Sequence, residues 1–216
     1  MDATLSADED DALMLAFARG DAQAFERLYT RHEAALYRFV RRLLGPALAA
    51  QADEAFQDTW LRVVSQRAQY LPGQAQAALQ GSPQAAFSTW LFTLAHHRCI
   101  DLLRRSGREV ALPDDDGDEP FQPRGEPWLD WPAAGQAPHD DALFWRRAGE
   151  RLLACLERLP PGQKAVFLLH HEEGLGLDEL AAALALNFEA AKSRLRYAMS
   201  KLRTCMGAYL PAGAAP

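Results

Sequence analysis

The sequence predicts an all-α protein, with two helical domains joined by an acidic linker rich in proline and glycine. Apolar residues recur at the three- and four-residue spacing of a helix face, and no segment alternates as a strand does. This periodicity is lost over residues 106–141, which contain six prolines and a run of three aspartates. We therefore expect domains at 1–105 and 142–206, with the linker between them and a tail at 207–216.

The charges divide the chain in the same way. The net charge is −6, yet residues 106–141 alone carry two basic and ten acidic side chains. Residues 142–216 carry ten basic and seven acidic side chains. This asymmetry indicates separate modules with separate partners. A hydrophobic content of 49% is enough for packed cores and argues against a disordered chain.

Four helices are expected in the first domain, at about residues 8–19, 22–44, 52–67 and 82–105. The first opens with acidic residues that suit the positive end of a helix dipole, and Gly45-Pro46 ends the second. The inward residues of the third helix are expected to be Phe56, Trp60, Leu61 and Val64. Those of the fourth are expected to be Phe87, Trp90, Leu91, Leu94, Ala95 and Leu102.

The second domain is expected to contain helices at about 142–159, 161–173, 177–184 and 188–206. The last two have the spacing of a helix-turn-helix, with Ala181 at the crossing of the helices and Asn187 as an N-cap. Cationic and polar residues crowd the final helix, which has no acidic residue after Glu189. Such a helix fits the major groove of DNA, where Arg and Lys reach guanines and phosphates. The alternative is a basic solvated face on an ordinary helical hairpin.

The three cysteines form no C-x-x-C pair. Cys99 and Cys155 lie within apolar helical patterns, so we expect buried free thiols, which fits a reducing compartment. The acidic N-terminus does not resemble a signal peptide, and no apolar run approaches the ~18 residues of a membrane span. A cytoplasmic protein without membrane insertion is expected.

Two clusters contain potential metal ligands, His96-His97-x-Cys99 and His170-His171-Glu172-Glu173. Neither has the H-E-x-x-H spacing, and adjacent residues on a helix point ~100° apart, so one helix cannot offer both histidines to one ion. The sequence also lacks a glycine-rich phosphate loop and a recognisable nucleophile arrangement. We expect no metal, no cofactor and no enzymatic activity.

Several motifs together resemble the extracytoplasmic-function (ECF) group of bacterial RNA polymerase sigma factors. The stretch L-P-P-G-Q-K-A-V-F-L-L-H-H-E-E-G-L at 159–175, followed by A-K-S-R at 191–194, is similar to their region four. A-D-E-A-F-Q-D-T-W-L at 52–61, and F-S-T-W-L-F-T-L-A at 87–95 with D-L-L-R-R at 101–105, are similar to region two. The resemblance covers about residues 9–105 and 142–206, in the family's order.

The resemblance implies that region two binds the polymerase core and melted minus-ten DNA, and that region four binds the minus-thirty-five element. The residues implied to face the polymerase are Asp53, Glu54, Gln57 and Asp58. A solvated acidic face is the alternative for these. The residues implied to meet minus-ten DNA are His96, His97, Arg104 and Arg105. The residues implied to meet the minus-thirty-five element are Asn187, Lys192, Ser193, Arg194 and Arg196.

This sequence departs from the family pattern in places. His97 replaces a usual Asn, and Ala185 replaces the glycine of the turn, which is tolerable only if that position avoids left-handed geometry. The loop at about 69–81 is long and has neither aromatic nor charged residues after Tyr70, which leaves the base preference open. Linker residues Trp128 and Trp131 either pack on a neighbouring domain or anchor the linker on a partner.

The implied partners are the RNA polymerase core, promoter DNA and an anti-sigma factor that clamps both domains. The implied function is promoter-specific initiation in response to an envelope or environmental stress signal. The acidic linker either enters a basic nucleic-acid channel of the polymerase or serves only as a solubilising tether. The alternative function is a helix-turn-helix regulator that acts without polymerase. A dimeric regulator of that kind is expected to carry a dimerisation helix after its reading helix, and the residues after 206 are too few for one.

Overall fold

The fold is described by a computed structural model, which covers residues 3–70, 87–107 and 142–209. Within these residues the protein is all-helical, as predicted. The α-helices are α1 Ala3–Ala18, α2 Ala22–Leu44, α3 Ala52–Gln66, α4 Phe87–Arg105, α5 Ala142–Leu156, α6 Pro161–Glu172, α7 Leu177–Ala183 and α8 Phe188–Met206. Short 3₁₀ helices span Pro46–Gln51, Arg67–Gln69 and Gly207–Tyr209.

Some of the predictions concern residues outside this description. They include most of the loop at 69–81, the start of a helix at Ser82-Pro83 and most of the linker at 106–141. The linker residues Trp128 and Trp131 fall in the same group, as does the tail beyond residue 209. The domain boundaries therefore stay predictions.

Helices α1 to α4 pack into the first domain. Helix α2 is central because seven of its residues between Ala24 and Leu44 are buried, and Asp21 caps its N-terminus by accepting from the Gln23 and Ala24 amides. Phe39 of α2 meets Phe92 of α4 edge-on, with ring centroids 5.4 Å apart. Trp60 of α3 lies 5.0 Å from Tyr29 of α2. Helices α3 and α4 therefore both pack on α2, and they also pack on each other.

The acidic residues of α1 do not occupy its first turn, contrary to the prediction, because the helix begins at Ala3. They make tertiary contacts instead. Asp10 is buried and is paired with Arg31 and with His32, whose Nε2 lies 2.7 Å from Oδ2. Asp11 Oδ1 accepts from the Tyr70 hydroxyl at 2.5 Å and from the Phe87 amide at 2.7 Å. These carboxylates therefore join α1 to α2 and to the start of α4.

The predicted inward position of Leu61 on α3 is wrong, since its side chain is 64% exposed. The buried face of α3 is centred on Ala55, Thr59 and Val63. At ~100° per residue, Leu61 lies about 160° from Val63, on the far side of the helix. Phe56 and Val64, which flank the buried face, are half-buried, and Trp60 is buried as expected.

Helices α5 to α8 form the second domain, and α7 and α8 form the predicted helix-turn-helix. Ala181, Ala191 and Leu195 are buried between the helices as expected. Glu179 accepts from the Gly176 amide at 2.8 Å, which fixes the start of α7. The α8 N-cap is Asn187, also as predicted, because its Oδ1 accepts from the Ala190 amide at 2.7 Å.

The turn between α7 and α8 corrects one expectation. Ala185 was expected to be tolerated only outside left-handed geometry, yet its φ is +53°. The turn is closed by an amide of Leu186 that donates to the Ala181 carbonyl at 2.8 Å, and this closure requires the left-handed residue. An alanine there is strained, because its Cβ approaches the following carbonyl.

The prediction of free thiols holds for Cys99, which is free and buried, and is wrong for Cys155. Cys155 of α5 forms a disulfide with Cys205 of α8, with Cα atoms 5.9 Å apart. The two residues are 50 positions apart, so their pairing arises from the packing of α5 on α8 and leaves no local signal in the sequence. The argument from free thiols to a reducing compartment therefore no longer follows.

The two domains pack against each other through two pairs of helices, α2 with α6 and α4 with α7. Arg38 of α2 contacts Glu172 at 3.3 Å and Glu173 at 3.1 Å, and Arg42 also pairs with Glu172. The buried Lys164 of α6 donates to the Arg42 carbonyl at 3.1 Å. We call these contacts the α2–α6 ion-pair cluster. Charged groups thus dominate this part of the domain contact.

Candidate protein and nucleic-acid interfaces

The implied polymerase-facing residues share one surface of α3, which we call the α3 acidic face and define as Asp53, Glu54, Gln57 and Asp58. The first three are exposed, and Asp58 is partly exposed. Glu54, Gln57 and Leu61 follow one another at helical spacing, so an exposed leucine continues the face by one turn. The apolar pattern of the sequence predicts an inward position for Leu61, and the predicted face therefore does not include this residue. The position of Leu61 on the helix, opposite the buried Val63, is the sequence signal that predicts its exposure.

All three carboxylates of this face are held by hydrogen bonds from neighbouring helices. The Tyr37 hydroxyl of α2 donates to Asp53 Oδ1 at 2.7 Å, which raises the pKa of Tyr37. Arg98 of α4 lies 2.7 Å from Glu54 Oε1 and 2.8 Å from Asp58 Oδ2, through the same Nη2 atom. Sequence reasoning did not single out Arg98 or Tyr37, because their relation to α3 arises only in the packed bundle.

The four residues implied to meet minus-ten DNA are not brought onto one surface of α4. His97, Arg104 and Arg105 are exposed, and the helical spacing places them on neighbouring sides of the helix. His96 is half-buried, with Nδ1 enclosed and unbonded. Burial, together with the charges of His97, Arg194 and Arg104, lowers the pKa of His96 to about 3. His96 is therefore neutral and lies toward the second domain.

The residues implied to meet the minus-thirty-five element lie along the N-terminal half of α8. Asn187 is exposed, but its side-chain oxygen Oδ1 accepts the hydrogen bond that caps the helix. Lys192, Ser193 and Arg196 are half-buried, and the Arg196 guanidinium lies 5.6 Å from the centre of the Tyr197 ring. Arg194 approaches Gly162 at the start of α6 and acts electrostatically on His96. Through Arg194, the reading helix therefore acts on His96 of the first domain in this arrangement.

The histidine and glutamate cluster at the end of α6 has structural contacts. His170 Nδ1 lies 2.8 Å from the Leu175 carbonyl, and His171 Nε2 lies 3.2 Å from Met199 Sδ. Burial lowers the pKa of His171 to about 4. Glu172 and Glu173 bind Arg38 and Arg42. Over the described ranges, no three His, Cys, Asp or Glu residues are grouped so that they could hold a metal ion.

None of the described helices combines the length and the apolar character that crossing a membrane requires.

Two sequence families match the chain, one in each domain. Sigma-70 region 2 matches residues 28–109, and sigma-70 region 4 matches residues 149–202. The first match contains α3, α4 and the α3 acidic face, and the second contains the helix-turn-helix. The order and spacing of the two matches agree with the two packed domains.

Curated relatives are similar over nearly the whole chain. The ECF RNA polymerase sigma factor SigK of Mycobacterium ulcerans is 31% identical over 204 residues, 93% of this chain and 95% of the relative. SigK of Mycolicibacterium vanbaalenii is 30% identical and covers 92% of this chain and 90% of its own length. The RNA polymerase sigma factor CarQ of Myxococcus xanthus is 28% identical, over 88% and 94% of the two chains.

Two solved structures share the fold. The structure of CnrH in complex with the cytosolic domain of CnrY gives a TM-score of 0.61 at 22% identity, over 93% of this chain and 98% of CnrH. The sigma factor RpoE in complex with the anti-sigma factor NepR, from Bartonella quintana, gives a TM-score of 0.55 at 20% identity. The match covers 85% of this chain and 97% of the matched chain. At these identities the likeness establishes the all-helical fold of both domains and no residue role.

Proposed function

Because this chain belongs to the ECF group of the sigma-70 family, we propose that its α3 acidic face binds the RNA polymerase core while α4 and α8 contact the promoter. The protein is a sigma factor, which directs the polymerase core to specific promoters and initiates transcription. A helix-turn-helix regulator that works without polymerase would leave the region 2 match over α2 to α4 unexplained. The sigma-factor function accounts for both domains.

The observation that carries the polymerase-facing assignment is the composition of the exposed side of α3. Leu61 is 64% exposed, and the carboxylates of Glu54 and Asp58 lie within two turns of it. An apolar centre with a polar rim is the usual anatomy of a protein–protein interface. Because the carboxylates are already held by Tyr37 and Arg98, the surface is ordered before any partner arrives.

The DNA-facing assignments rest on charge and exposure. His97, Arg104 and Arg105 of α4 are accessible to the phosphates of melted minus-ten DNA. Lys192, Ser193, Arg194 and Arg196 of α8 are proposed to reach the minus-thirty-five element, with Asn187 at the N-terminus of the reading helix. His96 contributes least in the packed arrangement, because its Nδ1 atom is enclosed and its pKa is lowered.

An anti-sigma factor is the proposed inhibitory partner. Both matched structures are complexes, one with the cytosolic domain of CnrY and the other with the anti-sigma factor NepR. We propose that such a partner covers both domains of this chain and releases it upon an envelope or environmental stress signal. The proposal places the protein in the cytoplasm, where polymerase is found, and gives it no enzymatic activity of its own.

The test is transcription from purified components. The full chain and core polymerase should initiate at a promoter identified by mapping of transcript starts after overexpression. The double substitution Asp53→Asn with Glu54→Gln should weaken core binding by about tenfold and reduce transcript yield, and Leu61→Ser should do the same, because each removes part of one interface. The matched control replaces exposed carboxylates elsewhere, Glu26→Gln with Glu150→Gln.

Helical content measured by circular dichroism should be unchanged in every variant, since the substituted residues are exposed. Equal core affinity in all variants would remove the α3 acidic face from the polymerase interface. Tight binding to duplex promoter DNA with no engagement of core would contradict the sigma-factor function itself.

A further inference from the structure

We propose that Arg98 is a positioning residue of the polymerase interface, which presents two carboxylates of the α3 acidic face to the core. The inference rests on the proposed function, since it assigns a role to a side chain behind that face. Arg98 lies on α4, between His97 and the buried Cys99, and its side chain is only 8% exposed. It therefore has little direct access to a partner and acts through the residues it binds.

The buried guanidinium of Arg98 binds two carboxylates that remain exposed. Arg98 Nη2 lies 2.7 Å from Glu54 Oε1 and 2.8 Å from Asp58 Oδ2. The Glu54 side chain remains 61% exposed and that of Asp58 37% exposed. Each carboxylate has two oxygens with several acceptor positions, so both can still accept from a basic partner residue. The planar guanidinium sets their direction, which a flexible ammonium group would do less well.

This arrangement contributes little to folding. Glu54 and Asp58 are hydrated on their outer sides, which weakens an ion pair, and burial of a guanidinium is costly. Arg98 Nε is also buried and has no hydrogen-bond acceptor within the described parts of the chain. Removal of one partner of an ion pair is strongly destabilising when it leaves a buried unpaired charge, but the partners left here, Glu54 and Asp58, are exposed to water. Arg98→Met should therefore fold, while Glu54 and Asp58 become free to adopt other rotamers.

Two physical accounts of Arg98 predict opposite results for core binding. If Arg98 only neutralised the α3 acidic face, its removal would leave the face more negative and strengthen the attraction of a basic partner. If Arg98 orders the carboxylates, its removal adds the entropic cost of fixing two side chains on binding. We expect the second effect, with a loss of core affinity on the order of tenfold.

The experiment measures the dissociation constant of the full chain for purified core polymerase, by fluorescence anisotropy in a salt series. Arg98→Met should weaken binding, and Arg98→Lys, which keeps the charge and can still reach a carboxylate, should recover part of the loss. Arg19→Met removes an arginine from an exposed position at the end of α1 and serves as the matched control. Tighter binding by Arg98→Met would overturn the proposal in favour of simple neutralisation.

A double-mutant cycle separates positioning from a general structural effect. In a chain that already carries Glu54→Gln with Asp58→Asn, Arg98→Met should cause no further loss of core affinity, because the residues through which it acts are gone. An equal loss in both backgrounds would overturn the proposal. If Glu54→Gln with Asp58→Asn leaves core affinity unchanged, the polymerase-facing assignment of these two carboxylates fails instead. If the double substitution lowers core affinity while Arg98→Met alone does not, the carboxylates keep their assignment and only the positioning role of Arg98 fails.

Discussion

At the scale of the residue, Ala185 carries backbone strain in this sigma factor. Ala185 adopts a φ of +53° in the turn between α7 and α8, and an L-residue loses ~1–2 kcal/mol in that region. The turn persists because the surrounding contacts fix it, in particular the buried Leu184 and the hydrogen bond from Leu186 to Ala181. The strain lies within the helix-turn-helix, at the joint that orients the reading helix.

Ala185→Gly should therefore stabilise the second domain by about 1 kcal/mol, because glycine adopts this conformation without a steric cost. Urea unfolding monitored by circular dichroism measures the change. The matched control is Ala182→Gly, three residues earlier within α7, which should destabilise by about 1 kcal/mol because glycine is a poor helix former. Equal destabilisation by both substitutions would show that Ala185 is not strained.

At the scale of helices, the elements whose ends carry strong signals were predicted well. The bounds of α2 were correct because Asp21 caps its start and Gly45-Pro46 stops it. Those of α8 were correct because Asn187 caps it. The start of α1 was missed because its acidic residues serve tertiary contacts, with Asp10 and Asp11 binding side chains that are distant in sequence. Local patterns identify helices, whereas partners across the bundle depend on packing.

The candidate interfaces show the same division. Exposure of the carboxylates on α3 followed from helix periodicity, but the support that Arg98 and Tyr37 give them required the packed structure. Exposure of Leu61 was predictable from its position relative to Val63 and was misread. The disulfide between Cys155 and Cys205 had no local signal, because α5 and α8 meet only in the folded domain.

The disulfide fixes α5 on α8, and its reduction should lower the free energy of unfolding of the second domain by about 2–4 kcal/mol. The physical reason is that the cross-link restricts the unfolded chain between two residues 50 positions apart. Urea unfolding of the oxidised and the reduced protein measures the difference. The variant Cys99→Ala should show the same dependence on reductant, since Cys99 is outside the bond. Unfolding that is insensitive to reductant in both proteins would contradict the pairing.

Over the whole molecule, the packed domains restrict part of the surface proposed for DNA, while His97, Arg104 and Arg105 stay exposed. Helix α4 packs on α7, the Nδ1 atom of His96 on α4 is enclosed, and Arg194 of α8 acts on His96 electrostatically. Binding of α4 to minus-ten DNA and of α8 to the minus-thirty-five element is expected to require that the contact of α4 with α7 opens. The packed arrangement is therefore expected to weaken promoter binding. The loss equals the free energy that holds the domains together.

The packing should weaken as the pH falls, because His96 is neutral while enclosed. Its pKa is lowered to about 3 from an ordinary value of 6.5, through burial first and then the charges of His97, Arg194 and Arg104. Below pH 6.5, His96 becomes protonated in the separated state but stays neutral in the packed state. The packed state therefore loses stability as the pH falls from 6.5 toward 3. X-ray scattering should show a larger radius of gyration at pH 5.5 than at pH 8. His96→Gln should reduce this difference, and an identical pH response in that variant would exclude His96 as its cause.

The α2–α6 ion-pair cluster offers a separate control of the packing. Arg42→Glu places a carboxylate against Glu172 and Glu173. The packed arrangement should therefore lose about 1 kcal/mol of stability, as expected for a partly exposed pair, and the domains should separate more often. The consequence is a larger radius of gyration at neutral pH and a few-fold gain in binding to duplex minus-thirty-five DNA. Adding Glu172→Arg to this variant restores opposite charges between positions 42 and 172 and should reverse part of both effects, because the two positions are coupled while the new arginine also faces Arg38. If the exchanged pair remains as open as Arg42→Glu alone, the ion pairs do not hold the domains together. A compact Arg42→Glu chain would instead assign the packing to the contact of α4 with α7.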